Sequence, residues 1–280
     1  MSDSKKYSLT EQLLFPSTHV NQEKLRKAVA HKTILITGAS FGIGEQTTYS
    51  LAQTNVTLIL VARTYEKLNE VKIRTEKLGA TVEIIAADLT NDADLNFLIE
   101  RLKNYENGID IFINNAGKSI RRSVFDSLDR FHDFTRTMAL NYFAPVKLTL
   151  TLIPQLAKNK GQVINISAAN VLLIPAQNWS AYQSSKVAFD QWLRCASPEL
   201  RSKDIAVSSA YLPLVRTRMI EPTKVYDHFP TMNPDHVAKI VCNLIITRTR
   251  KHKPWWLIFG EIGSFLFRRP FEIIMENRNR

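Results

Sequence analysis

Short apolar runs alternate with longer amphipathic segments through most of this chain. The runs are apolar on both faces, which is typical of strands buried in a parallel sheet. The predicted strands are Thr33–Thr37, Val56–Val61, Val82–Ala86, Ile109–Asn114, Gly161–Ser167 and Ile205–Ala210. The amphipathic segments predict helices, the first ending near Gln53 and the others covering Tyr65–Leu78, Ala93–Tyr105, Phe131–Leu156, Ala181–Arg201 and Pro234–Ile246.

Strands that alternate with helices at this spacing pair in parallel through right-handed crossovers. The pattern therefore predicts an α/β fold, a Rossmann-type doubly wound parallel sheet flanked by helices. No linker rich in Gly, Ser or Pro interrupts it, so we expect a single domain over residues 32–247. An N-terminal extension, residues 1–31 with a short helix near Asn21–Ala30, precedes the domain, and a basic, aromatic C-terminal segment, residues 248–280, follows it.

Composition narrows the classes of function. The 280 residues are 45% hydrophobic and 22% charged, which is close to globular averages and argues against disorder or a fibrous repeat. The two cysteines, Cys195 and Cys242, have no metal-ligand spacing, so we expect no metal site, no disulfide and a reducing, cytoplasmic location. Cys195 is interpreted as a packing residue. Neither a signal peptide nor an apolar span of about 20 residues is recognisable.

The net charge of +11 fits an anionic partner, or simply a basic solvated surface. No helix-turn-helix or RNA-binding motif accompanies the charge, so no nucleic-acid partner is expected.

A glycine-rich turn, TGASFGIG over residues 37–44, lies where the first strand meets the first helix of the domain. Glycines there let the backbone approach a pyrophosphate, whose charge favours a helix N-terminus. The spacing is GxxxGxG rather than GxGxxG, and a plain tight turn is the alternative. We predict dinucleotide binding, with contacts from Gly38, Ser40, Phe41, Gly42, Ile43 and Gly44.

The end of the second strand indicates which dinucleotide is bound. An NAD site usually carries Asp or Glu there to bind the ribose 2′-hydroxyl. This chain has Ala62 followed by Arg63, whose guanidinium can bind a 2′-phosphate through two hydrogen bonds. NADP(H) is therefore favoured over NAD(H), although an exposed strand-end arginine is the alternative.

Further motifs follow in order along the chain: Asp88-Leu89, Asn114-Asn115-Ala116-Gly117, Asn141, Ser167 and Tyr182-Gln183-Ser184-Ser185-Lys186. Together with the glycine turn they resemble the short-chain dehydrogenase/reductase family over residues 32–246. Tyr182 and Lys186 are one helical turn apart, and an ammonium beside a phenol, with an oxidised nicotinamide, lowers the phenol pKa.

The resemblance implies a catalytic role for four residues. Tyr182 is the general acid that protonates the carbonyl oxygen, and Ser167 orients that oxygen and stabilises its developing charge. Lys186 also holds the nicotinamide ribose. Asn141 anchors a water that relays protons to Lys186.

The resemblance also implies further cofactor contacts. Asp88 binds the adenine amine, Ala116 packs on the adenine ring, and Thr217 reaches the nicotinamide amide. The remaining implied contacts are Leu89, Asn115, Gly117, Pro213 and Val215. The chain departs from the family at Leu214, where a glycine is usual, at Phe41, and at its end, where the usual last strand with an Asp-Gly-Gly ending is missing.

In place of that ending, aromatic and aliphatic residues interleave with cations in Lys253–Phe259 and Phe265–Arg269. Two interpretations remain open. The segment rests on anionic lipid as a peripheral membrane contact, or it closes over the core of the domain.

Three stretches, Lys118–Ser123, Leu212–Thr223 and Tyr226–Pro230, are similar to a subgroup that includes bacterial long-chain fatty acyl-CoA reductases. The expected function is NADPH-dependent reduction of a hydrophobic carbonyl, most specifically a fatty acyl-CoA thioester to the aldehyde. Arg121 and Arg122 are candidates to pair with coenzyme A phosphates, or they merely cap a loop.

Two other functions stay open. The chain reduces a ketone or aldehyde group of a lipid, steroid-like or 3-oxoacyl compound, or it is an NADPH-binding sensor or scaffold without catalysis. Pairing into homo-oligomers is common in the family, and nothing in the sequence decides it.

Overall fold

The computed structural model describes residues 6–52 and 55–277. Seven parallel strands form one sheet in the order β3-β2-β1-β4-β5-β6-β7. The strands are β1 Thr33–Thr37, β2 Thr57–Ala62, β3 Thr81–Ala86, β4 Ile111–Asn114, β5 Gln162–Ala168, β6 Ala206–Leu212 and β7 Lys251–His252. The chain moves outward from β1 to β3, returns to β4 and continues to β7, so the predicted doubly wound sheet is confirmed.

Helices cover both faces of this sheet. They are α1 Leu9–Leu14, α2 Gln22–Val29, α3 Gly42–Ala52, α4 Tyr65–Glu76, α5 Asp92–Lys103, α6 Phe131–Met138, α7 Ala144–Lys158, α8 Ser180–Ser202, α9 Pro234–Thr247, α10 Leu257–Leu266 and α11 Arg268–Asn277. The predicted helix end at Gln53 lies outside the described residues, as do residues 1–5 of the extension and 278–280 of the C-terminal segment.

Alternation of side chains along each strand gives the sheet two apolar layers. In β1, Ile34 and Ile36 pack in the layer that contains Val237 of α9, whereas Leu35 packs in the opposite layer with Phe189 of α8. Because both faces are covered by helices, the strands need apolar residues at nearly every position. This accounts for the unbroken apolar runs in the sequence.

Two predicted elements differ in the structure. The single helix expected over Phe131–Leu156 is interrupted by a π-helical turn, Ala139–Phe143, between α6 and α7. The last strand, expected to be missing, is present as β7, in which Lys251 and His252 pair with Ser209 and Ala210 of β6. A strand of two residues is too short to leave a periodic signal in the sequence.

The N-terminal extension contributes to the core rather than lying apart from it. Phe15, Leu25 and Val29 are buried in the same layer as α9. Trp255 also donates a hydrogen bond from Nε1 to the Leu13 carbonyl, 3.1 Å away.

The C-terminal segment combines features of both interpretations left open by the sequence. Leu257 is fully buried beside Tyr211 and closes the end of the core. Most other large apolar side chains of the segment are exposed: Trp255, Ile258, Phe259, Ile262, Phe265, Leu266, Phe267, Ile273 and Ile274. Among the described helices, none is long and apolar enough to cross a bilayer.

Candidate active site

The glycine turn between β1 and α3 has a backbone that few other residues could adopt. Gly38 and Gly42 have φ angles of +67° and +59°. A Cβ on Gly38 would lie 2.9 Å from Asn115 Nδ2, and one on Gly44 would lie 2.3 Å from the Gly38 carbonyl oxygen. The turn therefore leaves its backbone uncovered by side chains at the N-terminus of α3, where the phosphates of a dinucleotide can bind.

Residues after β4 brace this turn. Thr37 Oγ1 accepts hydrogen bonds from the backbone N–H groups of Asn115 and Ala116, both at 3.1 Å. Asn115 Nδ2 donates to the carbonyl oxygens of Thr37 at 2.9 Å and Gly38 at 3.0 Å. The side chain of Asn115 thus holds β1 and β4 together beneath the turn.

A carboxylate and several cations gather at the ends of β2 and β3. Asp88 Oδ1 accepts hydrogen bonds from Thr90 N–H at 2.9 Å and Thr90 Oγ1 at 2.7 Å. Burial raises the pKa of Asp88, but these hydrogen bonds, with the charges of Arg63 and Lys118, outweigh burial and lower it. Arg63 is exposed and Leu89 is buried. A carboxylate beside free cations can bind an amine on one side and a phosphate on the other.

Lys186 of α8 contacts β5 at Ile166, the residue that precedes Ser167. Lys186 is 8% exposed, and its Nζ donates a hydrogen bond to the Ile166 carbonyl oxygen, 3.2 Å away. Burial lowers the pKa of Lys186 to about 8. Ser167 Oγ is buried and has no hydrogen-bond partner among the described residues. A buried hydroxyl without a partner is costly, so its place suits an oxygen of a bound molecule.

Asn141 lies in the π-helical turn, where the extra residue per turn directs its amide inward. Its Nδ2 donates to the Lys118 carbonyl oxygen and to Ser185 Oγ, both at 2.9 Å, and its Oδ1 accepts the Lys118 N–H at 2.9 Å. A Cβ on Gly117 would lie 3.2 Å from Lys186 Nζ and 3.3 Å from Asn141 Oδ1. Gly117 therefore leaves the space that lies between Asn141 and Lys186.

In this structure the Lys186 ammonium does not lower the Tyr182 pKa, and the lowering expected together with an oxidised nicotinamide stays a prediction. Burial raises this pKa, and Tyr226 adds to the effect. The Lys186 ammonium does not counter burial, since it is directed to the Ile166 carbonyl. The phenol consequently holds its proton at neutral pH, which is the state that an acid requires.

An aromatic wall beside Tyr182 was missed by the sequence analysis. Trp179 packs edge-on against Tyr182 with ring centroids 5.9 Å apart, and it stacks on Tyr226 at 5.7 Å. The spacing of Trp179 and Tyr182 on one helix end was a usable signal. Tyr226 begins one of the stretches that resemble the fatty acyl-CoA reductases, but its stacking on Trp179 depends on the tertiary fold.

The loop after β6 lies directly on the glycine turn. Val215 pairs with Met232, and a Cβ on Gly42 would lie 2.8 Å from Thr217 Cγ2. Pro213 begins the same loop. Arg218, which the sequence analysis did not select, places its guanidinium 3.8 Å from the ring centroid of Phe41. This contact gives a structural reason for an aromatic residue in the turn.

The two candidate substrate arginines differ in their surroundings. Arg122 Nε donates to Oδ2 of the buried Asp133 at 3.0 Å, and Arg130 donates to the same oxygen at 3.3 Å. Arg121 is exposed, and its charge is felt by Tyr226, next to the aromatic wall. Of these two arginines, Arg121 is the one without an ion pair to a described residue, and it is close enough to Tyr226 for its charge to lower the pKa of that phenol.

The two cysteines differ in their exposure, and the described residues form no metal-binding cluster. Cys195 is exposed, so its interpretation as a packing residue is wrong, whereas Cys242 is buried. Over residues 6–52 and 55–277, no group of three His, Cys, Asp or Glu side chains could hold a metal ion.

Comparison with known proteins agrees with this arrangement. The short chain dehydrogenase family profile matches residues 32–225. A fatty acyl-CoA reductase from Acinetobacter baylyi is 45% identical over 227 residues, which cover 81% of this chain and 77% of the relative. Another, from Mycobacterium tuberculosis, is 35% identical and covers 97% of this chain and 96% of its own.

A solved short-chain dehydrogenase from Sphingobium yanoikuyae in complex with NADPH superimposes with a TM-score of 0.74 at 26% identity, covering 86% of this chain and 95% of its own. A metagenomic short-chain oxidoreductase in complex with NADP gives 0.68 at 25% identity, covering 79% and 93%. These similarities support a nicotinamide cofactor bound at the glycine turn, residues 37–44, which we call the cofactor cradle. The chain belongs to the short-chain dehydrogenase family of oxidoreductases, and within that family it resembles fatty acyl-CoA reductases.

Proposed function

We propose that this protein is an NADPH-dependent reductase of a hydrophobic carbonyl compound, most specifically of a fatty acyl-CoA thioester to the fatty aldehyde. The observation that carries the proposal is the buried Ser167 hydroxyl, which has no hydrogen-bond partner among the described residues and follows Ile166, whose carbonyl oxygen accepts a hydrogen bond from Lys186. The relatives named as fatty acyl-CoA reductases support the thioester as substrate.

Each polar group of the cluster has a role in this proposal. Ser167 Oγ donates a hydrogen bond to the carbonyl oxygen and stabilises its developing negative charge. Tyr182 donates its phenolic proton to the same oxygen, and Lys186 provides the positive field that favours this transfer. Asn141 holds a water that returns a proton through Lys186. When bound, the nicotinamide cofactor supplies the hydride.

With these groups, a thioester can be reduced to the aldehyde without a cysteine nucleophile. The carbonyl carbon gains hydride and the oxygen gains the Tyr182 proton, giving a hemithioacetal. Its collapse re-forms the carbonyl, breaks the carbon–sulfur bond and releases coenzyme A as the thiol. The products are the aldehyde, free thiol and oxidised cofactor.

The choice of NADPH rests on Arg63. Its exposed guanidinium follows β2, and Asp88 and Lys118 lie within its electrostatic reach. Burial lowers the pKa of Lys118, and the charges of Arg136 and Arg63 lower it further. A 2′-phosphate placed among these cations relieves their mutual repulsion, whereas a 2′-hydroxyl does not.

The substrate is proposed to enter along the aromatic wall. Trp179 and Tyr226 provide an apolar face for the acyl chain, and Arg121 pairs with a coenzyme A phosphate at the edge of that face. Arg122 is a weaker candidate because the buried Asp133 already neutralises it.

The C-terminal segment is proposed to rest on an anionic lipid surface. Its exposed aromatic side chains include Phe259, Phe265 and Phe267, and Arg268 and Arg269 lie beside them. Apolar residues interleaved with cations bind such surfaces through burial and charge together. Ser264 Oγ accepts the Ile174 N–H at 3.1 Å, so α10 contacts the loop that precedes Tyr182.

A paired measurement tests the proposed reaction. Purified protein is mixed with NADPH and a long-chain acyl-CoA, and the loss of NADPH absorbance is followed together with the release of free thiol. Equal loss and release support thioester reduction. NADPH loss only with ketones or aldehydes, without thiol, favours the alternative carbonyl reductase. Binding of NADPH with no consumption on any carbonyl would favour a sensor or scaffold.

Vesicle sedimentation tests the lipid contact. Binding is expected to require an anionic lipid and to fall in the Phe265→Ser/Phe267→Ser double variant. The matched control is Phe97→Ser, because Phe97 is exposed on α5. Two results would reject the contact: equal binding of wild type, the double variant and Phe97→Ser, or no binding of wild type to vesicles with or without anionic lipid.

A further inference from the structure

The N-terminal segment reaches the loop after β6 through one buried carboxylate. Glu11 of α1 is 8% exposed, and its Oε1 accepts hydrogen bonds from Arg216 Nη2 at 2.8 Å and from the Thr231 N–H at 3.1 Å. Its Oε2 accepts the Ser8 N–H at 2.9 Å, which completes a capping box at the start of α1. A single side chain therefore ties α1 to two segments more than 200 residues away.

Glu11 is ionised in this setting. Burial alone raises its pKa, but the hydrogen bonds from the backbone of Ser8 and Thr231 and the charge of Arg216 outweigh burial and lower it. The contact with Arg216 is thus a charge-assisted hydrogen bond at low exposure, which is stronger than one at the surface.

Arg216 is held on its other side as well. Its Nη1 donates to Asn233 Oδ1, and its backbone N–H donates to the Met232 carbonyl oxygen at 2.9 Å. The Met232 N–H in turn donates to the Leu214 carbonyl oxygen at 2.8 Å. Backbone and side chain together fix the position of Arg216 in the loop.

The residues that follow Arg216 touch the cofactor cradle. Thr217 packs so closely on Gly42 that a Cβ there would lie 2.8 Å from its Cγ2, and Arg218 stacks over Phe41. A shift of Arg216 would therefore move both contacts. Glu11 touches none of the cradle residues itself and acts through the loop.

We propose that Glu11 is a positioning residue that holds the loop 213–218 against the glycine turn and so creates the binding site for the nicotinamide half of the cofactor. The inference rests on the proposed function, in which Pro213, Val215 and Thr217 contact that half. It assigns to the N-terminal extension a part in cofactor binding that is separate from its packing on the core.

The test compares a whole cofactor with its adenosine half. Dissociation constants of NADPH and of 2′,5′-ADP are measured by titration calorimetry for the full chain and for Glu11→Gln. The variant is expected to bind NADPH about tenfold more weakly, which corresponds to about 1.4 kcal/mol, within the range for one hydrogen bond to a charged group. Binding of 2′,5′-ADP, which would contact Arg63 and the turn, is expected to stay within about twofold.

The control is Glu23→Gln, since Glu23 belongs to an exposed ion pair with Lys27 on α2. It is expected to leave both constants unchanged. Unchanged NADPH binding in Glu11→Gln would overturn the proposal. Equal weakening of both ligands would overturn it too, because that result indicates general destabilisation.

Arg216→Gln breaks the same contact from the loop side and keeps the proposal testable if Glu11→Gln folds poorly. Arg216→Gln is expected to weaken NADPH binding at least as much as Glu11→Gln, because it also removes the hydrogen bond to Asn233, and to leave 2′,5′-ADP binding within about twofold. Where both single variants fold, the double variant is expected to bind NADPH no more weakly than Arg216→Gln alone, because the Glu11–Arg216 contact is lost only once. Additive losses would reject a shared contact. If the wild-type chain bound neither NADPH nor 2′,5′-ADP, the proposed function itself would fail, which is distinct from failure of the positioning role.

Discussion

The cluster around Tyr182 and the C-terminal helices both contact the segment 169–179, and they place polar and apolar groups in opposite ways. In the cluster, polar side chains are buried: Asn141 is 2% and Ser167 is 4% exposed. In α10 and α11, apolar side chains are exposed, and Phe265 reaches 86%. The buried Ser167 hydroxyl without a partner among the described residues and the large exposed apolar surface both cost free energy, and we propose that a substrate oxygen compensates for the first and a lipid surface for the second.

The two regions differ in how firmly the fold holds them. Asn141 and Lys186 are hydrogen-bonded to backbone atoms of Lys118 and Ile166. The C-terminal helices are attached at fewer points, chiefly the buried Leu257 and the hydrogen bond from Ile174 to Ser264. Catalysis needs atoms fixed in advance, whereas contact with a fluid surface needs only exposed area.

The largest expected effect is the loss of turnover when the proposed acid of the Tyr182 cluster is removed. Tyr182→Phe removes the acid but keeps the ring, so turnover is expected to fall about a thousandfold while NADPH affinity stays the same. Stopped-flow turnover and fluorescence titration measure the two quantities. Tyr105→Phe, a tyrosine after α5, is the control. Near-normal turnover of Tyr182→Phe would refute the proposed acid.

The next comparison lies within the C-terminal segment. Leu257→Ala should lower the free energy of unfolding by about 2–5 kcal/mol, because Leu257 is fully buried. Phe265→Ala is expected to change it by less than about 0.5 kcal/mol, because the ring is exposed. Urea denaturation of both variants checks this. A large loss in Phe265→Ala would mean that the helix packs on the protein rather than on a lipid surface.

The low pKa of Lys186 predicts that the free energy of unfolding depends on pH. Its pKa is about 8 in the folded chain and 10.5 unperturbed, so between these values the unfolded chain binds the extra proton. Stability from this group should therefore rise by about 3 kcal/mol from pH 8 to pH 10.5.

Comparison with a variant that lacks the ammonium isolates the contribution of Lys186 to the pH dependence. The free energy of unfolding of wild type minus that of Lys186→Met is measured across this range, with the exposed Lys147→Met as control. A flat difference for Lys186→Met would contradict the low pKa.

The smallest expected effect tests the cofactor end of the site. Arg63→Ala is expected to weaken NADPH binding by about tenfold to a hundredfold and NADH binding by little, because only NADPH carries the 2′-phosphate. Arg101→Ala, an exposed arginine on α5, is the control. Equal losses for both cofactors would refute the role of Arg63.

Much of the fold was predictable because its signals are local. Buried strands such as Thr33–Thr37 have apolar side chains on both faces, and Gly38, Gly42 and Gly44 are needed by the turn itself. The π-helical turn at Asn141 was not predicted, because the inserted residue only shifts the phase of the apolar pattern, and α6 before it is too short to define that phase. The exposure of Cys195 and the ion pair of Arg122 with Asp133 depend on how helices and loops pack, which no local periodicity indicates.

The site shows the same division. Tyr182 and Lys186 are four residues apart on one helix, so their shared face follows from helix geometry. Trp179 was within reach of the same argument, but Tyr226, Arg218 and Glu11 were not. Glu11 meets Arg216 across 205 positions, and no period or motif links them.

The doubly wound sheet, the glycine turn and the family of the chain could all be predicted from its residues, because periodicity and short motifs are encoded within a few residues of one another. The folded structure was needed to find the direction of the Tyr182 pKa shift, the ion pair of Arg122 with Asp133, and the division of the C-terminal segment into one buried leucine and an exposed apolar surface. These properties depend on desolvation and on charges brought together from distant positions. Both arise only when the chain has folded.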